Sequence, residues 1–532
     1  MVKARASSVS SAVTGTAFVF IGRLADAIVG FIFSIIGARL MGKDEYGLVG
    51  ATIGIISIMA LMADMGVPNA TTKYISQYLA KKKLSHIRAI VFNTVLLETV
   101  LGGLAAILCF VLADPLATKV FGRPELAAFL RFGAPLAFLI PLLAGLNAVF
   151  QGYQRQEFFA LSTGVSGMIR LISSAILLSI SPTVESALLG YLIGAVVASC
   201  IFGIIILVSV IPGLGKRTAP RWPELKGMIG YSIPVMLTAA AVMLFNWVGT
   251  LFLTAFAAKQ EISWFNIAYG MVNIPVALST SIGTAFFPIV TDLYHRDKHK
   301  LLSDAYSRAV KFTSIIMLPV VLLIVAVGQP LIFVLYGPDF LPAYGPLVIL
   351  SLWGLIRPIA AISNSVSNGI GKPFLVTKAN LICLALSLIL CSMLVPAGRP
   401  YPLNLIPLQG LMGASWAITI SFTVGMSLQI YYALDVTSTK LPFGAWGKSL
   451  AASTISAMVI VLLLQPFLGS FGSHGVLAVL VVTLAIGLLG LGLYILLIKV
   501  LGVLDRSDVE MIASMPLPMK GTILRLFKAL AK

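Results

Sequence analysis

Residues 115–122 read PLATKVFG, and residues 330–337 read PLIFVLYG. A proline and an aromatic-glycine pair stand at the same spacing in both stretches. The correspondence extends outward over two longer segments, Ile90–Leu177 and Val310–Leu390, and matched residues such as Pro141 and Pro358 stand 215 to 220 positions apart. An internal repeat of this length indicates two similar halves. In a membrane protein such halves are typical of a transporter, because they rock about a site between them.

The composition places most of the chain in lipid. Of its 532 residues, 59% are hydrophobic and 11% charged, with a mean hydropathy of +1.01. Soluble proteins carry about 25% charged residues. The first apolar segment, 11–40, is too long for a cleaved signal sequence and predicts a retained helix.

No pattern in the chain predicts an enzyme. The four cysteines stand singly in apolar runs, which predicts neither disulfides nor a metal site. Zinc-protease, serine-hydrolase and nucleotide-loop motifs are absent from the sequence. We therefore expect no catalytic residue and no cofactor.

Fourteen runs are long and apolar enough to cross a membrane, which takes about 20 residues each. They are 11–40, 47–66, 90–113, 126–150, 158–180, 186–211, 227–257, 262–290, 309–335, 343–368, 374–396, 408–434, 445–467 and 474–498. With the N-terminus inside, the cytoplasmic loops, termini and adjoining span ends hold 27 of the 37 Lys and Arg residues, and the outer loops and adjoining span ends hold 7. This asymmetry predicts that both termini are cytoplasmic. It also explains the net charge of +18 without nucleic acid, because the basic residues are spread over many loops.

The predicted fold is an all-α membrane protein of two parallel six-helix repeats plus two further C-terminal helices. An even number of spans in each repeat brings both into the membrane from the same side. The predicted parts are an N-lobe (1–211), a cytoplasmic linker (212–226), a C-lobe (227–434), helices 13 and 14 (435–501) and a basic amphipathic cytoplasmic tail (502–532).

Charged residues inside the spans are the candidate site, because each costs on the order of 3 kcal/mol to insert. Arg23 and Asp26 share a face of the first span, where they either neutralise each other or line a cavity. Arg357 precedes Pro358, whereas its counterpart before Pro141 is uncharged, so the charge belongs to one half only. The candidate substrate-binding residues are Arg23, Asp26, Arg170, Asn246 and Arg357.

Three acidic residues are candidates for carrying a coupling proton or sodium ion. Asp26 lies mid-span, Asp64 lies near the end of the second span, and Glu98 lies inside the third. For Asp64 the alternative is a helix-end cap before Gly66. For Glu98, as for Arg170, the alternative is a side chain that reaches toward the nearer membrane surface. For Arg357 the alternative to substrate contact is an ion pair with Asp26, Asp64 or Glu98.

Three stretches carry a family resemblance. Residues 36–47 read IGARLMGKDEYG, residues 63–66 read ADMG, and Gln151-Gly152 is echoed by Asn368-Gly369. Together they resemble the multidrug/oligosaccharidyl-lipid/polysaccharide (MOP) flippase superfamily, and the first stretch is most similar to its polysaccharide-export branch, which includes O-antigen flippases.

The resemblance implies a fourteen-helix carrier in the cell membrane that flips a polyprenyl-diphosphate-linked oligosaccharide from the inner to the outer leaflet. Its partners would be that substrate, membrane lipids and a coupling proton or sodium ion. Arg23 and Arg357 could then hold the diphosphate by charge-assisted bonds. Helices 13 and 14 could guide the lipid tail.

Two departures from the family bear on the substrate. The spans 46–65 and 264–290 lack the extra arginines of the lipid II flippases, which disfavours a peptidoglycan precursor. The seventh span lacks the acidic residue that couples many multidrug members. A cation-coupled multidrug extruder of the same fold remains the alternative function. A membrane glycosyltransferase would need clustered carboxylates or a sizeable soluble domain, and a scaffold would not need buried charges.

Overall fold

Apolar segments in a membrane fold as helices because a helix satisfies its backbone hydrogen bonds internally. The computed structural model describes residues 2–210, 222–396, 409–468, 475–505 and 508, and over these the chain is helical with no strand. The α-helices are α1 Val2–Asp64, α2 Val67–Ala80, α3 Leu84–Val111, α4 Ala113–Pro115, α5 Leu126–Gly152, α6 Gln156–Ile180, α7 Val184–Ile205, α8 Trp222–Phe256, α9 Lys259–His295, α10 His299–Ala326, α11 Gly328–Tyr336, α12 Tyr344–Gly354, α13 Arg357–Gly369, α14 Pro373–Leu394, α15 Gly410–Thr437, α16 Phe443–Leu468 and α17 Val476–Val500. Short π-helical segments (Leu116–Val120, Ile206–Val210) and a 3₁₀ turn (Pro338–Ala343) complete the described elements.

Helix α1 folds back on itself at Gly42. That residue has φ 76° and ψ 177°, a conformation outside the helical region that glycine adopts without strain. A Cβ atom on Gly37 would lie only 3.3 Å from the ring of Tyr46, nine residues away. In a straight helix these two residues would be about 13 Å apart along the axis. The stretch IGARLMGKDEYG therefore forms the turn of a helical hairpin.

Twelve helices in the described residues are long and apolar enough to cross a membrane, or thirteen if Pro338–Gly354 and Arg357–Gly369 are taken as one bent span. One of these twelve is the segment Leu24–Asp64, which is 41 residues long. At 1.5 Å per residue it would be about 60 Å long, twice a bilayer core. If the two arms on either side of Gly42 are counted as separate spans and the bent pair is included, the total is the predicted fourteen. That total stays a prediction.

The two copies of the repeat motif end in the same way. Gly122 has φ 63° and Gly337 has φ 101°, both in the left-handed region that favours glycine. Each glycine follows a helical segment that contains the matched proline near its start, Pro115 or Pro330. The glycine of PLATKVFG and PLIFVLYG is thus required by a backbone turn in both halves.

The two halves differ at their matched central prolines. Helix α5 runs without a break through Pro141. In the second half the chain is interrupted between Gly354 and Arg357, and the two segments on either side are bent by 41°. The amides of Leu355 and Ile356 bond carbonyls only three residues back, which tightens the chain at the break. The matched prolines therefore lie in a continuous helix in one half and just after a break in the other.

The chain folds into two compact units. Unit 1 comprises Met1–Ile267 with Thr377–Ser421, and unit 2 comprises Ala268–Val376 with Phe422–Lys532. In unit 1, α1 packs on α5 and α6, α3 packs on α5, and α6 packs on α7. The apolar core beneath α2 includes Ile75, Ile90 and Phe150.

Unit 2 is built around α10, which packs on α13 and α16, while α16 packs on α17. Buried Tyr306, Ile362 and Val366 lie in its core. Lys311 of α10 pairs with Asp508 at 2.6 Å and with Asp505 at 3.2 Å. These contacts fix the chain just after α17.

Large parts of the two predicted polar segments lie outside the described residues. Of the predicted linker, only 222–226 is described, as the start of α8. Of the predicted tail, only 502–505 and 508 are described, so its amphipathic character stays a prediction. Helices α16 and α17 correspond to the predicted helices 13 and 14, and they expose many large apolar side chains, such as Leu462, Leu477 and Leu488.

Candidate functional site

Arg170 is held between α1 and α7 in the middle of unit 1. Its Nη2 lies 3.5 Å from Asp26 Oδ1 of α1, and its Cζ lies 4.9 Å from the ring centre of Tyr191 of α7. The Arg170 side chain is 23% exposed and the Asp26 side chain 54%. The contact is longer than a strong charge-assisted bond, which measures about 2.7–2.9 Å. Asp26 therefore neutralises Arg170 without using up its donors.

The guanidinium of Arg170 has hydrogen-bonding capacity left over. Its Nε is buried and has no hydrogen-bond partner in the described part of the chain. Buried polar groups are nearly always paired, so an unpaired donor calls for an explanation such as a ligand. Tyr191 and Phe33, which stack edge-to-face at 5.3 Å, form an aromatic wall beside this arginine. Neither aromatic residue is among those predicted from the sequence.

Two glycines of α7 allow the close approach that positions Arg170. A Cβ atom on Gly194 would lie 2.9 Å from Arg170 Cβ, and one on Gly190 would lie 2.7 Å from Ser174 Cα. Gly190 and Gly194 are one turn apart and form a small-residue face, as in GxxxG packing between membrane helices. This motif is the sequence signal that could have placed α7 against Arg170.

We expect Gly190→Ala to lower the thermal unfolding midpoint of the purified protein clearly. The added methyl group would meet the α6 backbone, and overpacking of this kind costs about 1–3 kcal/mol. Gly203→Ala is the matched control, because it lies on the same helix and a Cβ there meets nothing within 4 Å. A Gly190→Ala protein as stable as Gly203→Ala would contradict the close packing of α6 and α7.

Glu98 is a deeply buried acid of unit 1, with 0% exposure. Neither of its carboxylate oxygens has a hydrogen-bond partner within the described residues. Its neighbours are Gly145 of α5, whose added Cβ would lie 2.9 Å from Glu98 Cγ, and Thr94, one turn away on α3. The side chain therefore does not reach a membrane surface, and the alternative of a snorkelling Glu98 is wrong.

Asp64 lies at the end of α1 and interacts electrostatically with Glu98. Its Oδ1 accepts a hydrogen bond of 3.1 Å from the amide of Gly66. Gly66 has φ 77°, and a Cβ there would lie 2.8 Å from the carbonyl oxygen of Ser232. Asp64 thus stabilises the break between α1 and α2 as a cap, and this geometry leaves its other oxygen for a second role.

Arg357 belongs to unit 2 and is the first residue of α13, directly after the bent break. The residue is half-buried, and its Nε is buried without a hydrogen-bond partner among the described residues. Each unit thus holds an arginine inside a membrane span with a buried donor that no described residue satisfies.

The structure gives less information on the other two predicted substrate-binding residues, Asn246 and Arg23. Asn246 lies on α8, and its side chain is exposed. Arg23 lies on α1, but its side chain is outside the described residues. Of the candidate substrate-binding residues, Asp26 and Arg170 are brought together by a direct contact.

Helix α8, which carries Asn246, is tied to the first-half helices at both ends. At its start Glu224, with a side chain 7% exposed, pairs with Nδ1 of His86 at 2.6 Å. At its end Arg123 donates from Nε to the carbonyl oxygen of Thr254 at 2.6 Å. His86 lies in the first turn of α3, and the sequence gives no sign of this pair, since the two residues are 138 positions apart.

No group of three or more His, Cys, Asp or Glu side chains in the described residues could hold a metal ion. The long apolar helices define the class of protein, a multi-pass membrane protein.

Comparisons with known proteins give the family. The sequence profile described as "Polysaccharide biosynthesis protein" matches residues 12–294, and the profile MatE matches residues 234–393. The chain belongs to the polysaccharide biosynthesis protein family. The resemblance stated from the motifs is thereby confirmed.

Individual relatives are distant but cover most of the chain. The uncharacterized membrane protein MJ1068 of Methanocaldococcus jannaschii is 23% identical over 79% of this chain and 83% of its own. The probable low-salt glycan biosynthesis flippase Agl15 of Haloferax volcanii is 22% identical over 87% of this chain and 94% of its own. The structure of lipid II flippase MurJ in an inward closed conformation shares the fold, with a TM-score of 0.69, 17% identity and coverage of 90% of this chain and 97% of that one.

Proposed function

We propose that the protein flips a polyprenyl-diphosphate-linked oligosaccharide across the cell membrane by alternating access, with both termini in the cytoplasm. The observation that carries the proposal is the pair of arginines, Arg170 and Arg357, each inside a membrane span with a buried Nε–H that is unpaired within the described residues. A guanidinium presents its donors in a planar fork that matches a phosphate, and it stays charged at all physiological pH values.

The chemistry of the substrate fits these residues. A diphosphate needs cationic donors to leave water, and arginine is less strongly hydrated than lysine, which lowers the cost of burial. The ring of Tyr191 beside Arg170, packed on the buried ring of Phe33, provides an aromatic surface of the kind that sugars pack against. The polysaccharide biosynthesis profile and the flippase name of Agl15 support the same substrate class.

Coupling to an ion is a second part of the proposal. We infer that Glu98 takes up the coupling proton or sodium ion, with Asp64 contributing electrostatically. Burying a charged carboxylate without a hydrogen-bond donor in the membrane interior costs much free energy. The charged form of Glu98 therefore requires a bound cation. Asp26 is already paired with Arg170, which makes it the weaker candidate.

Reconstituted protein tests the transport function directly. In liposomes carrying a fluorescent polyprenyl-diphosphate oligosaccharide, an impermeant reductant bleaches only the outer leaflet, so movement between leaflets raises the bleached fraction. We expect the wild-type protein to bleach nearly all of the substrate and protein-free liposomes to bleach about half of it.

The multidrug alternative predicts a different result in the same vesicles. It rests on the MatE profile match over 234–393. Ion-driven export of a cationic dye, with no movement of the lipid-linked oligosaccharide, would replace the proposed function by this alternative.

A further inference from the structure

A cavity of about 520 Å³ lies at one end of unit 2, where three loops meet. It is formed by the junction of α9 with α10, the junction of α13 with α14, and the end of α15. Its volume falls within the range of about 300–1,000 Å³ that is usual for ligand pockets. None of its lining residues belongs to the candidate transport site described above.

We propose that this cavity binds the phosphate group of an anionic membrane lipid. Lys300 and Lys372 line it together with His299, and no carboxylate is among its lining residues. Leu302 and Ile370 are buried and form an apolar base beneath the charged rim. A cationic rim over an apolar base matches a phosphate headgroup that is attached to acyl chains.

The lysines are available to a ligand. The side-chain amines of Lys300 and Lys372 form no ion pair or hydrogen bond with the described residues, and both residues are exposed. Exposed amines of this kind bind phosphate as point charges. Asp297 lies close by, with its Oδ1 3.8 Å from His299 Nε2 and its side chain 93% exposed. That distance leaves Asp297 a weak competitor for the cavity's cations.

Neutral donors complete the site. The hydroxyls of Ser303 and Ser438 line the cavity and have no hydrogen bond within the described residues. The first turn of α10 begins at His299 without a side-chain cap, so its amides add to the positive potential there. Thr437 also lines the cavity, but its hydroxyl already donates to the carbonyl oxygen of Ala433.

The predicted topology puts the cavity at the cytoplasmic surface. All three loops belong to segments that the Lys/Arg asymmetry assigns to the inside. The inner leaflet carries the anionic lipids of many membranes, and their surface attracts basic groups by about 1 kcal/mol each. A lipid headgroup therefore has access to the cavity from the membrane side.

The test uses the full-length protein in neutral detergent with dihexanoyl phosphatidic acid, dihexanoyl phosphatidylcholine or inorganic phosphate. We expect phosphatidic acid, but not phosphatidylcholine, to raise the thermal unfolding midpoint in a saturable way. The double variant Lys300→Gln/Lys372→Gln should bind phosphatidic acid at least tenfold more weakly. Lys298→Gln/Lys440→Gln is the matched control, because it removes two nearby lysines that do not line the cavity.

The outcomes separate the sources of the phosphate. Tighter binding of phosphatidic acid than of inorganic phosphate, lost only in the Lys300/Lys372 variant, supports the lipid site. Equal binding of inorganic phosphate through the same two lysines would assign the cavity to soluble phosphate instead and overturn the lipid proposal. Equal loss in both double variants would overturn the site altogether. Lys300→Arg/Lys372→Arg should restore binding, which excludes misfolding as the cause.

Discussion

Methionine in place of Arg357 should slow oligosaccharide translocation at least tenfold and leave the thermal stability equal or higher. The guanidinium would bind the diphosphate through charge-assisted bonds worth about 1.5–3 kcal/mol each, and every 1.4 kcal/mol is about a factor of ten. Its Nε is buried without a partner in the described structure, and such a group costs about 1–3 kcal/mol of folding free energy. Methionine fills much of the same space without a donor. The measurement is the initial bleaching rate in liposomes, together with the unfolding midpoint.

Opposite changes in rate and stability are the signature of a binding residue. If Arg357 were only structural, its loss would lower both quantities together. Arg155→Met is the matched control, because Arg155 is 61% exposed and pairs with Glu157 at the surface. Arg357→Lys should recover part of the rate, since lysine keeps the charge but loses the planar fork. A normal rate in Arg357→Met would remove this residue from the site.

The repeat predicts much of the fold because the same physical requirements recur in both halves. A proline stands near the start of a helical segment, and a glycine ends it in a left-handed turn at Gly122 and at Gly337. The predicted apolar runs correspond to helices or helix pairs in the structure, because a membrane allows an apolar run few other conformations.

Hydropathy does not predict where a helix is broken. The motif around Gly42 carries the family resemblance, but its conformation cannot be derived from polarity, since the hairpin turn depends on one backbone angle. At Pro141 and Pro358 the same residue type gives a continuous helix in one half and a bend of 41° in the other. The proline itself therefore does not decide between these outcomes.

The sequence predicts the candidate site as a set of residues and not as a set of contacts. Rare charges in apolar runs are visible in any sequence, which is why Arg170, Glu98 and Arg357 stand out. Their partners are not visible, since Asp26 lies 144 positions from Arg170. Arg23 lies three residues from Asp26, so the sequence favours Arg23 as its partner. The contact that the structure describes for Asp26 is with Arg170 of α6.

Glutamine in place of Glu98 should abolish ion-driven accumulation of substrate and leave equilibration between leaflets intact. Glutamine has nearly the same shape as glutamate but carries no charge and binds no coupling ion. A carboxylate at 0% exposure with neither oxygen bonded in the described structure has no evident structural partner to lose. The variant should therefore fold as well as the wild-type protein. Accumulation is measured under an imposed proton or sodium gradient, and equilibration with the gradient collapsed.

The two readouts distinguish coupling from a general defect in transport. Glu157→Gln removes one acidic group at the surface, where the Glu157 side chain is 42% exposed, and should change neither readout. Loss of both readouts in Glu98→Gln would make Glu98 a structural or substrate-binding residue. Retention of driven accumulation would move the coupling site away from α3, and Asp26→Asn would then be the variant expected to lose it. Because sodium and proton gradients are imposed separately, the gradient that drives wild-type accumulation also identifies the ion for which the Glu98 carboxylate is the receptor.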